Sequence, residues 1–164
     1  MEPRAHDANT LVPVLAELLL HDPQADTRRT AALSLGKIAD SNGIPALTTS
    51  LKDQDDLVRE YSAWALGQMD TELPKNVALA LIMALGDPSS RVKQAVAMAL
   101  GNARPQAELL PLLKQVLAIS EVSTRRSVVQ ALSELEIPSS YEVFLDSAKD
   151  DDPRVRQIAI SGLG

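Results

Sequence analysis

The sequence predicts an all-α fold, a solenoid of five stacked helix pairs, and three observations predict it. The first is a recurring basic residue: Arg28, Arg59, Lys93, Arg125 and Arg156 stand 31, 34, 32 and 31 residues apart, each preceded by a β-branched residue (Thr27, Val58, Val92, Thr124, Val155). The second is a conserved order of residue types downstream of each anchor within the chain. Six residues on comes a small residue (Ser34, Ala65, Ala99, Ala131, Gly162), then leucine (Leu35, Leu66, Leu100, Leu132, Leu163), then Gly36, Gly67, Gly101, Ser133 or Gly164. The third is an upstream pair of columns: Leu15, Leu47, Leu81, Leu113 and Phe144, with Leu19, Leu51, Leu85, Leu117 and Ala148 four residues later. A spacing of four puts both members of a pair on one helical face. Each unit is therefore two amphipathic helices, and self-similarity at a fixed period is the mark of a stacked repeat array.

Taken in order, the first helices are predicted near 10–20, 43–52, 75–86, 106–119 and 139–149, and the second helices near 24–38, 56–69, 89–102, 122–135 and 153–164. They group into repeats near 10–38, 43–70, 75–103, 106–135 and 139–164, behind a flexible tail at 1–9. Asp22-Pro23, Asp87-Pro88 and Asp152-Pro153 read as N-cap carboxylates followed by a first-turn proline, which loses nothing where its N–H would be unpaired. Glycine inside a helix costs up to about 1 kcal/mol against alanine. A recurring glycine thus marks a packing or helix-end requirement, and the small columns let neighbouring helices approach closely.

Composition narrows the function. Apolar residues make up 45% of the 164, enough to bury a core, yet there are only four aromatics: Trp64, Tyr61, Tyr141 and Phe144. Cysteine is absent, which excludes disulfides and thiolate metal sites. The net charge of −6 argues against nucleic acid, whose affinity comes from basic contacts to phosphate. The first ten residues lack the basic-then-apolar order of a signal peptide, and no apolar run reaches the roughly 18–20 residues that span a bilayer. A cytoplasmic location is the expectation. The clusters Asp53-Asp55-Asp56 and Asp150-Asp151-Asp152 lack the glycine and terminal glutamate of a calcium loop and read as loop caps. His6 and His21 have no second ligand at helical spacing, so no metal is expected, and without a GxSxG, P-loop or dinucleotide fingerprint no cofactor and no enzymatic activity are expected either.

The pattern D-P-x-x-x-V-R-x-x-A-x-x-A-L-G, preceded by a helix such as GIPALTTSL at 43–51, resembles HEAT repeats. More narrowly it is similar to the short bacterial repeats of phycobilisome-lyase type. The resemblance covers 10–164 and implies a right-handed superhelix whose second helices line the concave side. It also implies an inter-repeat ladder of Arg28, Arg59, Lys93, Arg125 and Arg156 with Asp22, Asp55, Asp87 and Asp152. Unit four departs from the pattern at Glu121, Val129 and Ser133, which makes its stacking the least regular. Gly164 falls in the middle of the fifth second helix, which predicts a short last helix or a longer array. Leu163 and Ile160 are poor residues for a polar end cap, so further residues or self-association through the C-terminal repeat would cover them.

The slot five after the anchor lies about 160° from the leucine column, at 100° per residue, and should be open. It holds Leu33, Trp64 and Met98 in successive repeats, then Gln130 and Ser161. Helices about 8–10 Å apart would align these into one row, with Tyr61 beside Trp64 and Arg29, Glu60, Gln94, Arg126 and Gln157 at its rim. An apolar patch rimmed by polar groups marks an interaction site, so the row is read as the binding surface for another protein, a peptide or helix. The bland alternative is that Trp64 folds into the groove between helices and fills space. A second functional reading, from the resemblance alone, is a tetrapyrrole-handling or lyase-like role, with a flat pigment on the row and Arg29 or Arg126 meeting its propionates.

Overall fold

The computed structural model describes residues 5–102, 109–135 and 140–164. These form ten α-helices and, among the described residues, no strand. In chain order they are α1 (Ala5–His21), α2 (Ala25–Ile38), α3 (Ile44–Ser50), α4 (Asp56–Gly67), α5 (Lys75–Ala84), α6 (Ser90–Asn102), α7 (Leu109–Ile119), α8 (Val122–Leu135), α9 (Ser140–Ser147) and α10 (Pro153–Leu163). Odd and even helices follow one another in the five expected pairs, packed together in repeats one, two, three and five, while α7 and α8 of repeat four make little contact among the described residues. The leucine columns fill the core: Leu35, Leu66, Leu100 and Leu132 on the even helices, and Leu47, Leu81 and Leu113 on the odd ones, are all buried. Burying such a side chain contributes roughly 1.5–3 kcal/mol.

Two expectations need correction. The segment 5–9 is helix rather than tail, and α1 runs from Ala5 through Pro13, which the shorter helix would have placed in its first turn. Residues 1–4, and the expected repeat edges at 103, 106–108 and 139, lie outside the described residues. The caps also differ. Only Asp152-Pro153 is an N-cap carboxylate followed by proline, accepting from the Arg154 and Val155 N–H groups. Asp22 and Asp87 stand two residues too early. Their carboxylates accept from the N–H two residues on, at Gln24 and Ser89, as Asp53 and Asp150 do from Asp55 and Asp152. This Asx turn sets a loop column six before the anchor, distinct from the cap column four before it.

That distinction decides the ladder. Each anchor arginine in a stacked pair of repeats clamps two loops. Arg28 donates to the carbonyls of Asp22 and Pro23 in its own loop, and from Nε and Nη2 to both carboxylate oxygens of Asp53 in the next, at 2.9 and 3.1 Å. Arg59 does the same with the Asp53 and Gln54 carbonyls and the Asp87 carboxylate. Arg125 pairs with Asp150 at 2.8 and 3.1 Å and donates to the Ser120 carbonyl. Arg156 holds the Asp150 and Asp151 carbonyls. Asp55 and Asp152, expected in this ladder, instead face Arg29 and Arg126. Lys93 is the exception among the anchors. Six before Arg125 stands Ile119 in place of aspartate, at the end of α7, and Lys93 reaches Glu134 at 3.7 Å instead.

Helix stacking follows the ladder. α2 packs along α4, α4 along α6, and α8 along α10, but α6 and α8 barely touch, and α5 against α7 carries the array across this step.

Candidate functional site

The expected row divides at that step. Leu33 on α2, Tyr61 and Trp64 on α4, and Gln94 and Met98 on α6 line one groove of about 470 Å³, together with Glu60, Arg91 and Ala95. Stacked even helices bring these side chains side by side. Met98 is 65% exposed, whereas Leu33, Tyr61 and Trp64 are half-buried. Gln130 and Arg126 belong elsewhere. They line a separate opening of about 510 Å³ bounded by the α5–α6 loop and Lys93 on one side and by α8 and α10 on the other, with Ser127, Arg154 and Ile158, and the Gln130 amide donates to Glu134.

Trp64 combines the two readings of its slot. Its ring lies over Gly36, where an added Cβ would collide with the six-membered ring and stand 2.8 Å from the Ala65 Cβ. Glycine here leaves room both for the indole and for the close approach of α4 at Ala65. Trp64 also lines the groove.

The rim differs from expectation at both arginines. The Arg29 fork is held by Asp55, with Nε at 2.8 Å, and by Asp26 at 2.7 Å, so it is a clamp between α2 and α4 rather than an open contact residue. This pairing holds the Asp55 carboxyl down at about 2, the hydrogen bond from Arg29 outweighing burial, with the cap bond from Val58 adding to it. Arg126 is engaged in the same way by Asp152, whose carboxyl it lowers. A positive slot facing an acidic cap one repeat on is the reason, and the alignment of Arg29 with Asp55 and of Arg126 with Asp152 could have revealed it.

Arg91 is a groove residue that the sequence pattern did not single out, whereas Glu60 stands in the expected rim column. Glu60 occupies the slot of Arg29 and Arg126 in repeat two, and facing it the cap column has Ser89. Its Oε2 is buried and without a hydrogen-bond partner among the described residues. No group of three or more acidic or histidine side chains that could hold a metal ion occurs among the described residues, and no helix there is long and apolar enough to cross a membrane.

The family model for HEAT repeats matches residues 12–81 and 77–164. The chain belongs to the HEAT-repeat family. Among solved structures, this HEAT-repeat chain is similar to one in the complex of CpcE and CpcF of phycocyanin lyase from Nostoc sp. PCC7120, with a TM-score of 0.54, 24% identity, and coverage of 94% of this chain and 64% of that one. It is also similar to a designed armadillo repeat protein in complex with the peptide (KR)4, with a TM-score of 0.51, 18% identity, and coverage of 96% and 82%. At these identities the likeness is one of fold. A stretch of 63 residues is 41% identical to deoxyhypusine hydroxylase of Eremothecium gossypii, covering 38% of this chain and only 20% of that protein.

Proposed function

We propose that this HEAT-repeat chain is a non-catalytic scaffold that holds a peptide or helix of another protein on its concave face, in the groove over Leu33, Tyr61, Trp64 and Met98. The observation that carries the reading is Met98, a large apolar side chain 65% exposed beside a half-buried tryptophan and tyrosine. Exposed apolar surface with a polar rim marks an interaction site, Trp and Tyr are enriched among binding hot spots, and methionine adapts to varied partners. Repeat solenoids bind along such extended faces. The two similar solved structures are both complexes, one with a protein and one with a peptide, which supports the same reading.

The test is capture from lysate with the wild-type chain and with Met98→Glu, which puts a charge into the groove without disturbing the Trp64 seat on Gly36. A protein retained by the wild type and lost from the folded variant is expected. Identical retention would place binding on another face. The pigment-handling alternative has less support on this surface, because the forks of Arg29 and Arg126, the cations it needs, are occupied by Asp55 and Asp152. New visible absorbance on mixing the chain with bilin would favour it.

A further inference from the structure

We infer that the segment held in the groove presents a basic side chain, lysine or arginine, whose charged head sits between the Glu60 carboxylate and the rings of Trp64 and Tyr61. This rests on the reading that the groove binds a protein segment, and it specifies that segment's chemistry.

The argument starts from a replaced ion pair. In repeats one and four the residue after the anchor is arginine, and its fork bridges to the cap carboxylate of the following repeat, Arg29 to Asp55 and Arg126 to Asp152. In repeat two both partners are changed. The arginine is Glu60 and the cap is Ser89, so a cation facing a carboxylate has become a carboxylate facing a hydroxyl residue. Glu60 is left with a buried Oε2 that accepts no hydrogen bond among the described residues. Removing such an oxygen from water without a partner is costly, and an orphan of this kind calls for an explanation. Glu60 as a whole is half-buried and lines the groove, so a rotation of its side chain brings the carboxylate to a donor arriving there.

The neighbours of Glu60 suit a cation. Trp64 and Tyr61 line the same groove, and aromatic faces attract ammonium and guanidinium groups. Leu33 and Met98 offer apolar surface for the methylene stem of the incoming side chain. Arg91, also in the groove lining, is exposed and forms no ion pair with Glu60. The chain's charge of −6 attracts a basic segment at long range.

Trp64 is the single tryptophan, so its emission reads the groove directly. The full chain is titrated with the octapeptide (KR)4 and with its neutral counterpart, in which acetyl-lysine and citrulline replace lysine and arginine. The titrations are repeated with Glu60→Gln, and with Asp151→Asn as a charge-matched control in an exposed loop. The basic peptide is expected to shift Trp64 emission saturably and to bind on the order of tenfold more tightly than the neutral one. Glu60→Gln should lose about tenfold in affinity for it, with a circular dichroism melt no lower than that of the wild type, and Asp151→Asn should lose none. Equal affinities for the two peptides, or for wild type and Glu60→Gln, would overturn the inference while leaving groove binding intact. No emission change with either peptide would also overturn it, and the Met98→Glu capture then decides separately whether the groove binds protein at all.

Discussion

Between α4 and α6, Arg59 reaches across to the Asp87 carboxylate, and Gly67 lets the Ala99 backbone approach to where its own Cβ would be only 3.0 Å away. Between α6 and α8 the same slots hold Lys93, Ile119 and Gly101, and the helices part around a 510 Å³ opening. Ile119 is 78% exposed where its counterparts are ion-paired or turn-forming aspartates, and a Cβ at Gly101 would meet no described atom within 4 Å. The two junctions share a leucine core and differ in their clamps. The leucine column is buried on both sides, but bringing even helices into lateral contact takes a forked cation and a carboxylate one repeat on. Lysine is a point charge that cannot make the two parallel bonds of a guanidinium, and here it also lacks the aspartate.

The largest effect should come from removing a clamp on the stacked side. Arg59→Met leaves the nearly buried Asp87 carboxylate unpaired and frees the Asp53 and Gln54 carbonyls, and should cost about 3 kcal/mol in urea unfolding. Lys93→Met, at the junction where the helices part, gives up a single 3.7 Å contact to a half-exposed glutamate and should cost less than about 1 kcal/mol. Similar losses would show that Lys93 clamps its junction after all.

Glycine substitutions sharpen the same contrast at smaller scale. Gly36→Ala forces a Cβ into the Trp64 ring and against the Ala65 backbone at 2.9 Å, and should lose about 1–2 kcal/mol. Because the indole must move, its emission should shift as well. Gly101→Ala adds a methyl to the same column on α6 without a described neighbour in reach. It should be neutral or stabilise the helix by up to about 1 kcal/mol. Matched losses at both sites would mean that α8 approaches α6 as closely as α4 approaches α2.

Much of this architecture was legible in the sequence because the repeat is five-fold: the anchors, the leucine columns and nearly every helix fall where spacing puts them. The departure of unit four was also visible, at Glu121, Val129 and Ser133. The residue that bears on the clamp, Ile119, stands out only once the aspartate column six before the anchor is known to be the ladder. The ladder was mixed because aspartates six and four before the anchor sit in one short loop. Which is the Asx turn and which the cap depends on where the backbone enters the helix, a matter of dihedral angles rather than spacing. The row over Trp64 was legible as far as Met98 and then failed, since a column of slots forms a continuous surface only where adjacent helices touch. Glu60 was legible as a rim residue and no more, because a lone glutamate at a rim is ordinary until its oxygen is seen to be buried and unpaired.

Acid offers the mildest probe, because it weakens clamps and leaves the leucine core untouched. The Asp55 carboxyl is lowered from 3.8 to about 2 by Arg29, and Asp150 and Asp152 are lowered by Arg125 and Arg126. A carboxyl that ionises more readily folded than unfolded contributes stability that is fully present above its unfolded value and is lost as pH falls through its folded value. For Asp55 that window runs from about 4 down to about 2. The melting temperature should therefore hold steady from neutral pH to about 5 and fall below about 4. Asp55→Asn keeps the cap geometry while discarding the charge, so it should start lower at neutral pH and fall less steeply in acid. Hydrogen exchange monitored across the same range should loosen α2–α4 and α8–α10, the two junctions with a lowered carboxylate. Amides where α6 faces α8 should change less, because protonation has no such clamp to remove there. An acid limb identical in wild type and Asp55→Asn would mean that the Arg29 fork does not hold its carboxylate in solution, and the comparison between junctions would then rest on the anchor arginines alone.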